Sequence, residues 1–424
     1  MPRPISRRAF IGSTLSSAAL IAGQPFHILG NTRRKLRIGV VGVHNRGRAN
    51  LDGVAREDVI ALCDVDENYL KGAARRFPKA RLFRDYREMI QLKELEAVVV
   101  STPDHHHAVA ASRALARGLD VYCEKPLAHT APEARRLAVL AQQNNRVTQM
   151  GTQIHAGGNY RRVVELVQGG AIGKVQQIHV FCNTKAWTAK CRPEATSPIP
   201  KNLDYDLWLG PAAHRPFHKS YHPAAWRRYW DFGGGTLADM GAHYMDLAFW
   251  AADLKYPTRV EAKGPKMDTY AAPPWLKVAM EFPSGPEVHW YDGSGRPEIL
   301  KKFGLQKWSA GVFFLGENGK WIMSDYSNHK IGPKAAFKDY KRPAKNIPDS
   351  IGHHAEWIKA CKERGTTTCA FDYSGPLTEA LLLGVASYRA QSPLVWDATN
   401  MKVTNTKAAD QFIHKTYRQG WELK

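Results

Sequence analysis

The sequence has few cysteines, and they do not have the spacing of a metal site. Its six cysteines include no CxxC pair, so a metal centre is not expected. Cys63 and Cys123 follow short apolar runs and are predicted to be small buried residues. Few disulfides are expected, and Cys182 with Cys191 is the first pair to consider.

Long hydrophobic runs are also missing. The mildly apolar stretch from Ile11 to Gly23 is too short, and too rich in Ser, Gly and Ala, to span a membrane comfortably. It follows Arg7 and Arg8 in a twin-arginine pattern. Residues 1–32 are therefore predicted to be a twin-arginine signal and linker that exports the protein to the periplasm. A disordered basic N-terminus is the plainer alternative, and an uncleaved signal would tether the protein to the membrane.

Acidic residues are outnumbered, 39 against 60 basic residues, which gives a net charge of +21. The basic residues are spread along the chain without a nucleic-acid-reading motif, so a nucleic-acid partner is not expected. A hydrophobic content of 44% with 23% charged residues is typical of an ordinary folded chain, and the length favours two domains.

Five short apolar runs alternate with helix-like stretches in the first third of the chain. They are unbroken and rich in β-branched residues, as strands buried on both faces should be. The runs are Leu36 to Val41, Val59 to Cys63, Ala97 to Ser101, Val121 to Cys123 and Val147 to Met150. This pattern predicts a Rossmann-type, doubly wound parallel sheet over residues 33–151.

After Gly151 the strand-like segments follow one another without intervening helices. Such an order favours a mostly antiparallel sheet. Residues 152–424 are therefore predicted to form an α+β domain with an open sheet, which holds the substrate and supports oligomerisation. The whole chain is predicted to be an α/β protein of two domains.

A glycine-rich turn follows the first predicted strand, in the segment from Gly39 to Gly47. Gly42 and Gly47 fit the first and third positions of a dinucleotide-binding fingerprint, while His44 stands where the second glycine is usual. Asp64 ends the second strand 22 positions after Gly42, where a carboxylate accepts hydrogen bonds from a ribose diol and repels a 2′-phosphate. The turn predicts NAD rather than NADP.

Two further segments contain candidate catalytic residues. Glu124-Lys125-Pro126 ends a strand at the edge where doubly wound sheets bind ligands. Downstream, Asp239 and His243 stand at i and i+4, on one face if their segment is helical. A lysine, an aspartate and a histidine beside a nicotinamide predict a hydride-transfer site.

The order of these parts resembles the glucose-fructose oxidoreductase, inositol dehydrogenase and MocA family. The resemblance rests on the glycine turn, Asp64, Ser101-Thr102-Pro103, Glu124-Lys125-Pro126 and the segment from Asp239 to His243, and covers residues 36 to about 390. It implies bound NAD and a sugar or cyclitol substrate. The implied cofactor contacts are Gly42, His44, Asn45, Arg46, Gly47, Asp64, Ser101, Thr102, His107, Glu124 and Lys125. Two departures are His44 for a usual glycine and His106 for a usual tryptophan.

The three catalytic candidates have distinct predicted roles. His243, with an intrinsic pKa near neutrality, is predicted to accept the hydroxyl proton. Asp239 orients that imidazole or pairs with Lys125, which hydrogen-bonds the reacting oxygen. A substrate wall is predicted from Gln153, Trp187, Trp226, Arg227 and Tyr229, with a role in the core as the alternative for the aromatic residues.

Export adds a constraint, since free NAD is not expected outside the cytoplasm. The cofactor is therefore predicted to stay bound, in an NAD-dependent oxidoreductase that acts on a secondary hydroxyl. A glycosidase that uses NAD redox-neutrally through a 3-keto intermediate, and a non-catalytic sugar sensor, are the alternatives. A homodimer or homotetramer is expected.

Overall fold

The computed structural model describes residues 34–184, 186–189, 196–293 and 295–424. The predicted twin-arginine signal and Cys191, hence the predicted Cys182–Cys191 pair, lie outside these residues. Within them, no helix has both the length and the apolarity needed to cross a membrane.

Six parallel strands form the first sheet, in the order β3-β2-β1-β4-β5-β6. They are β1 (Arg37–Val41), β2 (Asp58–Cys63), β3 (Arg81–Phe83), β4 (Ala97–Val100), β5 (Asp120–Glu124) and β6 (Thr148–Gly151). The strand order reverses between β1 and β4, as in doubly wound folds. The predicted parallel sheet is confirmed, but β3 was missed because it is short and mostly exposed.

Helices connect these strands and cover both faces of the sheet. They are α1 (Arg46–Val54), α2 (Glu67–Ala74), α3 (Tyr86–Met89), α4 (Asp104–Ala116) and α5 (Ala131–Gln143). The start of α5 is fixed by a carboxylate, since Glu133 accepts hydrogen bonds from the backbone N–H groups of His129 and Thr130. This arrangement satisfies two donors that would otherwise lack partners.

Nine strands form the second sheet, in the order β13-β12-β11-β7-β10-β9-β8-β14-β15. They are β7 (Gln177–Phe181), β8 (Arg259–Lys263), β9 (Lys277–Glu281), β10 (Glu287–Tyr291), β11 (Gly311–Leu315), β12 (Trp321–Ser324), β13 (His329–Gly332), β14 (Leu394–Asp397) and β15 (Lys402–Val403). Only the β7–β10 pair is parallel among these described ladders. The prediction of an open, mostly antiparallel sheet is confirmed.

The remaining helices follow β6 in the chain. They are α6 (Gly158–Gln168), α7 (Tyr205–Leu209), α8 (Gly235–Ala251), α9 (Ile299–Lys302), α10 (His353–Glu363), α11 (Phe371–Ala390) and α12 (Asp410–Ile413). Helix α11 packs on α5, where Glu379 pairs with Arg135 at 2.9 Å. Helix α10 inserts the fully buried Trp357 into the core under the first sheet. Late segments of the chain therefore hold the parallel sheet against the second one.

Candidate active site

A cavity of about 360 Å³ opens where β1, β2, β4 and β5 end. Doubly wound sheets bind their ligands at this edge. Most predicted site residues line the cavity: Gly42, His44, Asn45, Arg46, Asp64, Ser101, Thr102, His107, Glu124, Lys125, Trp187, Trp226, Arg227 and Asp239. Four predicted site residues lie outside its lining: Gly47, Gln153, Tyr229 and His243.

Two glycines shape the turn between β1 and α1. Gly42 has a φ of +79°, and a Cβ there would lie 2.7 Å from the carbonyl oxygen of Ser101. A Cβ on Gly47 would lie 2.0 Å from the carbonyl oxygen of Gly42. Glycine at both positions lets the chain turn tightly and opens the N-terminus of α1 toward the cavity, as a pyrophosphate requires.

The side chain of His44 is turned onto a tyrosine. Its ring stacks on Tyr69 of α2, with 3.7 Å between ring centroids and 6° between planes. Both rings line the cavity. The imidazole that replaces the usual glycine thus has a stacking partner, which the sequence did not reveal because Tyr69 reads as an ordinary helix residue.

Asp64 stands at the end of β2, on the cavity wall. Its carboxylate accepts hydrogen bonds from the backbone N–H groups of Val43 and Asp66, both at 2.9 Å. Burial raises the pKa of Asp64 to about 6, although these two amides oppose the rise. These amides fix the carboxylate at the mouth of the glycine turn, where a ribose diol would meet it.

Lys125 and Asp239 form a buried ion pair through Lys125 Nζ and Asp239 Oδ1. The other carboxylate oxygen of Asp239 accepts a hydrogen bond of 2.6 Å from Trp187 Nε1. Burial alone would raise the pKa of Asp239, but the charges of Arg227 and Lys125 hold it well below its usual range. Of the two roles predicted for Asp239, the structure therefore favours pairing with Lys125.

Arg227 extends this cluster to a residue that sequence reasoning missed. Its Nε lies 3.3 Å from Asp239, and its Nη2 donates a 3.2 Å hydrogen bond to Asp104, the first residue of α4. Asp104 is fully buried, and the backbone N–H of Gly234 also donates to its carboxylate. Burial raises the pKa of Asp104 to about 6, against the opposing charge of Arg227. The only sequence signal was its position beside Thr102 and Pro103, which is also typical of a helix start.

His243 lies one turn after Asp239 on α8; it is half-buried and is not among the residues that line this cavity. Burial and, next, the charge of Lys125 lower the pKa of His243 to about 3. The assignment of His243 as proton acceptor rested on the intrinsic pKa of histidine, which takes neither effect into account. The imidazole is accordingly neutral at physiological pH.

Gln153, which was predicted to contact the substrate, is half-buried and hydrogen-bonds two side chains of β5. Its amide nitrogen donates to Glu124 Oε1 and to the Tyr122 hydroxyl, both at 2.8 Å. Asn50 donates to the same Glu124 oxygen at 3.0 Å. Tyr229 likewise faces the core, where its hydroxyl contacts Ser220 Oγ at 2.9 Å.

The rings of His105, His106 and His107 face backbone carbonyl oxygens. His105 and His106 each place Nε2 near the carbonyl oxygen of Trp208, at 3.1 and 2.8 Å. His107 lies between the carbonyl oxygens of Thr102 and Pro126, at 2.8 and 2.7 Å. His107 thus holds the loop before α4 against the loop after β5, and His105 and His106 hold α4 against α7. All three have a packing role beside the cofactor side of the cavity.

A separate group of potential metal ligands is buried under α8. One ligand atom from each of His155, Asp246 and Cys369 lies within 4.8 Å of the others. His155 Nδ1 and the Tyr373 hydroxyl already hydrogen-bond Asp246, at 2.9 and 2.8 Å. Burial raises the pKa of the Cys369 thiol well above its usual value, so the group is a hydrogen-bonded part of the core.

The second domain supplies the facing wall of the cavity. Its chain crosses the parallel sheet edge, since Glu67 N–H donates to the Asn202 carbonyl at 2.9 Å and Asp204 N–H to the Val65 carbonyl at 3.0 Å. The wall residues that sequence reasoning did not single out are Leu207, Trp208, His222, Pro223, Ala224 and Trp421. A cleft closed on both sides, with a glycine turn, a carboxylate at β2 and a paired lysine at β5, defines a dinucleotide-dependent enzyme.

Comparison with known proteins agrees with this class. Residues 36–152 match the family model for the NAD-binding Rossmann fold of the GFO/IDH/MocA oxidoreductases, and residues 157–423 match the model for their C-terminal alpha/beta domain. The chain therefore belongs to the GFO/IDH/MocA oxidoreductase family, and its first domain binds NAD.

Individual relatives are more distant. The inositol 2-dehydrogenase of Salmonella typhimurium is 28% identical over 169 residues, which are 38% of this chain and 49% of that protein. The chain thus matches about half the length of this curated relative.

Two solved structures share the fold. The WlbA dehydrogenase of Chromobacterium violaceum, in complex with NADH and UDP-GlcNAcA, has a TM-score of 0.62 at 19% identity, with 88% of this chain and 99% of that chain covered. The aldose-aldose oxidoreductase of Caulobacter crescentus, complexed with glycerol, has a TM-score of 0.58 at 16% identity, with 85% and 100% covered.

Proposed function

We propose that the protein is an NAD-dependent oxidoreductase that acts on a secondary hydroxyl of a sugar, glycoside or cyclitol. The observation that carries this proposal is the amino group of Lys125, held on the cavity wall by the buried carboxylate of Asp239. The names of the inositol and sugar-nucleotide dehydrogenases among its relatives favour such a substrate.

The residues of the cleft fit the cofactor. The turn at Gly42 and Gly47 leaves no room for a Cβ, as close approach of phosphates requires. Asp64 would bind the ribose diol of the adenosine half, and its charge would repel a 2′-phosphate, which favours NAD over NADP. When bound, NAD accepts the hydride that leaves the substrate carbon.

Lys125 and His243 have different proposed roles at the substrate hydroxyl: Lys125 donates a hydrogen bond and His243 accepts the proton. The Lys125 ammonium has three N–H donors; one binds the Asp239 carboxylate, and another faces the Asp239 carbonyl oxygen at 3.5 Å. The third can donate to the reacting oxygen and stabilise its growing negative charge. His243 remains the proposed acceptor of the hydroxyl proton because its imidazole is neutral, but its pKa of about 3 makes it a weaker base than a free imidazole, and a substrate would have to extend beyond the cavity lining to meet it. Trp187 and Trp226 would pack against the sugar's C–H groups, while Arg227 would hydrogen-bond a hydroxyl.

We further propose that the cofactor stays bound, in an exported homo-oligomer. The closure of the cleft by the second domain supports retention, since His222 pairs with Asp66 at 3.2 Å beside the adenosine side. Residue pairs of this kind would have to separate before NAD could leave.

The experiment begins with the nucleotide released from denatured, purified protein, expected to be NAD. Native protein is then incubated with sugars, glycosides and cyclitols, with detection of reduced nicotinamide, ketone and free sugar. Ketone with reduced nicotinamide is expected. Free sugar without net reduction would favour the redox-neutral glycosidase, and inactivity across the panel with tight sugar binding would favour the sensor. A Lys125→Met variant controls for contaminating activity.

A further inference from the structure

A second cavity, of about 420 Å³, lies apart from the cofactor cleft and shares no lining residue with it. It is enclosed by the start of α5, the turn before α8, the last turns of α11 and the segment around α12. Its basic lining residues are His129, Arg389, His414 and Lys415.

Arg389 faces this cavity without an anionic partner among the described residues. Its guanidinium lies 4.5 Å from the ring centroid of Phe412 and 5.3 Å from that of Trp230. Its Nε is buried and has no hydrogen-bond partner in the described chain. Burial lowers the pKa of Arg389 to about 10, with no carboxylate to oppose the change.

Arg135 and Arg161, in contrast, each have a carboxylate partner. Arg135 pairs with Glu379 at 2.9 Å, and Arg161 pairs with Glu356 at 2.6 Å. A buried cation is costly without a counter-charge. The two aromatic rings offset only part of the desolvation free energy of the guanidinium, because cation–π contacts are weaker than a desolvated ion pair.

Lys415 adds a second cation to the same lining. Its Nζ donates to the carbonyl oxygen of His105 at 3.2 Å, and it lies 3.5 Å from His129 Nδ1 and 3.6 Å from Glu133 Oε1. That carboxylate oxygen also accepts a 2.8 Å hydrogen bond from the Tyr417 hydroxyl. Glu133 is thus the carboxylate partner of Lys415, and it makes no ion pair with Arg389 among the described residues.

Two carboxylates line the cavity but do not balance Arg389. Asp231 forms an ion pair with Arg215. Asp410 is exposed to solvent at the start of α12. Neither makes an ion pair with Arg389 in the described chain.

We propose that this cavity binds an oxyanion of the sulfate or phosphate class, held by the guanidinium of Arg389 and the ammonium of Lys415. A planar guanidinium donates two parallel hydrogen bonds to such a group. The contacts of the guanidinium with the rings of Trp230 and Phe412 restrict its motion before the ligand arrives, which reduces the entropy lost on binding. The ligand is either the free ion or the charged ester of a saccharide.

The test is titration calorimetry on NAD-saturated protein, so that the phosphate side of the cofactor cleft is filled. Sodium sulfate and sodium phosphate are titrated at an ionic strength held constant with sodium chloride. One saturable site is expected in the parent protein. The Arg389→Gln variant should bind the oxyanion about tenfold more weakly or worse, because a charge-assisted bidentate contact is lost. Arg418→Gln is the matched control, since Arg418 pairs with Asp206 at the surface, outside this cavity.

A sulfated monosaccharide and its neutral parent sugar distinguish the two sources. Tighter binding of the sulfated sugar than of inorganic sulfate identifies a saccharide ester, while equal binding identifies the free ion. No saturable oxyanion binding to the parent protein overturns the proposal, as does equal binding by Arg389→Gln. If Arg389→Gln fails to fold, the Arg389→Lys variant is used instead, because lysine keeps the charge and removes the planar donor pair. Undiminished oxyanion binding by Arg389→Lys would also overturn the proposal.

Discussion

The two walls of the cofactor cleft are built in different ways. On the Rossmann side, the functional groups follow directly after strands: Gly42 after β1, Asp64 after β2 and Lys125 after β5. On the facing side, Trp187, Arg227 and Asp239 come from separate loops and a helix, and they meet only through tertiary contacts. The functional residues of the first wall are positioned by local sequence, and those of the second wall are positioned by the tertiary fold. Chemistry at Lys125 depends on both walls, because its partner Asp239 belongs to the second.

The largest expected effect comes from the residue at which the walls meet. In Lys125→Met, we expect kcat to fall by about 10³ or more, because the donor to the developing oxyanion is removed while the apolar stem is kept. NAD binding should stay within a few-fold, since the dinucleotide is held by the glycine turn and Asp64. Steady-state kinetics and nucleotide content of the purified variant check both parts. Turnover near that of the parent would show that Lys125 is not catalytic.

His243 gives a smaller effect that tests the second wall alone. We expect His243→Ala to lower kcat by about 10² through loss of the proton acceptor, with the fold and NAD retained. The matched control is His179→Ala, a histidine of the second sheet that contacts Tyr291 rather than the cleft. A parental rate in His243→Ala would assign the proton transfer to another group.

The same contrast explains what could be read from the sequence. The parallel sheet, the glycine turn and Asp64 were predictable because each depends on a few consecutive residues with a known periodicity. The pairing of Asp239 with Lys125 rather than with His243 was left open, and Asp104 was missed. Their roles depend on burial and on residues more than a hundred positions away, such as Arg227, 123 positions from Asp104. The low pKa of His243 likewise follows from burial, which residue spacing does not report.

The role of Asp64 on the Rossmann wall can be tested through the pH dependence of the preference for NAD over NADP. Its pKa of about 6 means that its carboxylate is charged above that pH and largely neutral below it. A 2′-phosphate is repelled only by the charged form, so the preference for NAD over NADP should shrink, by roughly tenfold, as the pH falls through 6. Binding of both nucleotides to cofactor-free protein between pH 5 and 8 measures this preference. Asp64→Asn should show a small preference with little pH dependence. A preference that is unchanged across the range in the parent would contradict the role of Asp64.

Asp104 should give the smallest effect, since it acts through Arg227 rather than on the substrate. Above a pH of about 6, its ionised carboxylate holds Arg227, and protonation below that pH weakens the contact. At saturating NAD, we therefore expect kcat/KM of the parent to fall as the pH falls through 6, which gives the pH profile an acidic limb. The Asp104→Asn variant should lack this acidic limb and should be about threefold to tenfold slower than the parent at pH 7.5. Asp64→Asn serves as the control and should retain the limb.

The fall in activity at low pH is not expected to result from unfolding caused by protonation of Asp104. Because the folded pKa of Asp104 is raised above its unfolded value, protonation of Asp104 favours the folded state, and its contribution to stability increases as the pH falls toward 4. Activity and this contribution to Tm should thus change in opposite directions over the same pH range, which a purely structural role would not produce. A limb that persists in Asp104→Asn would remove Asp104 from the cluster and leave Arg227 positioned by Asp239 alone.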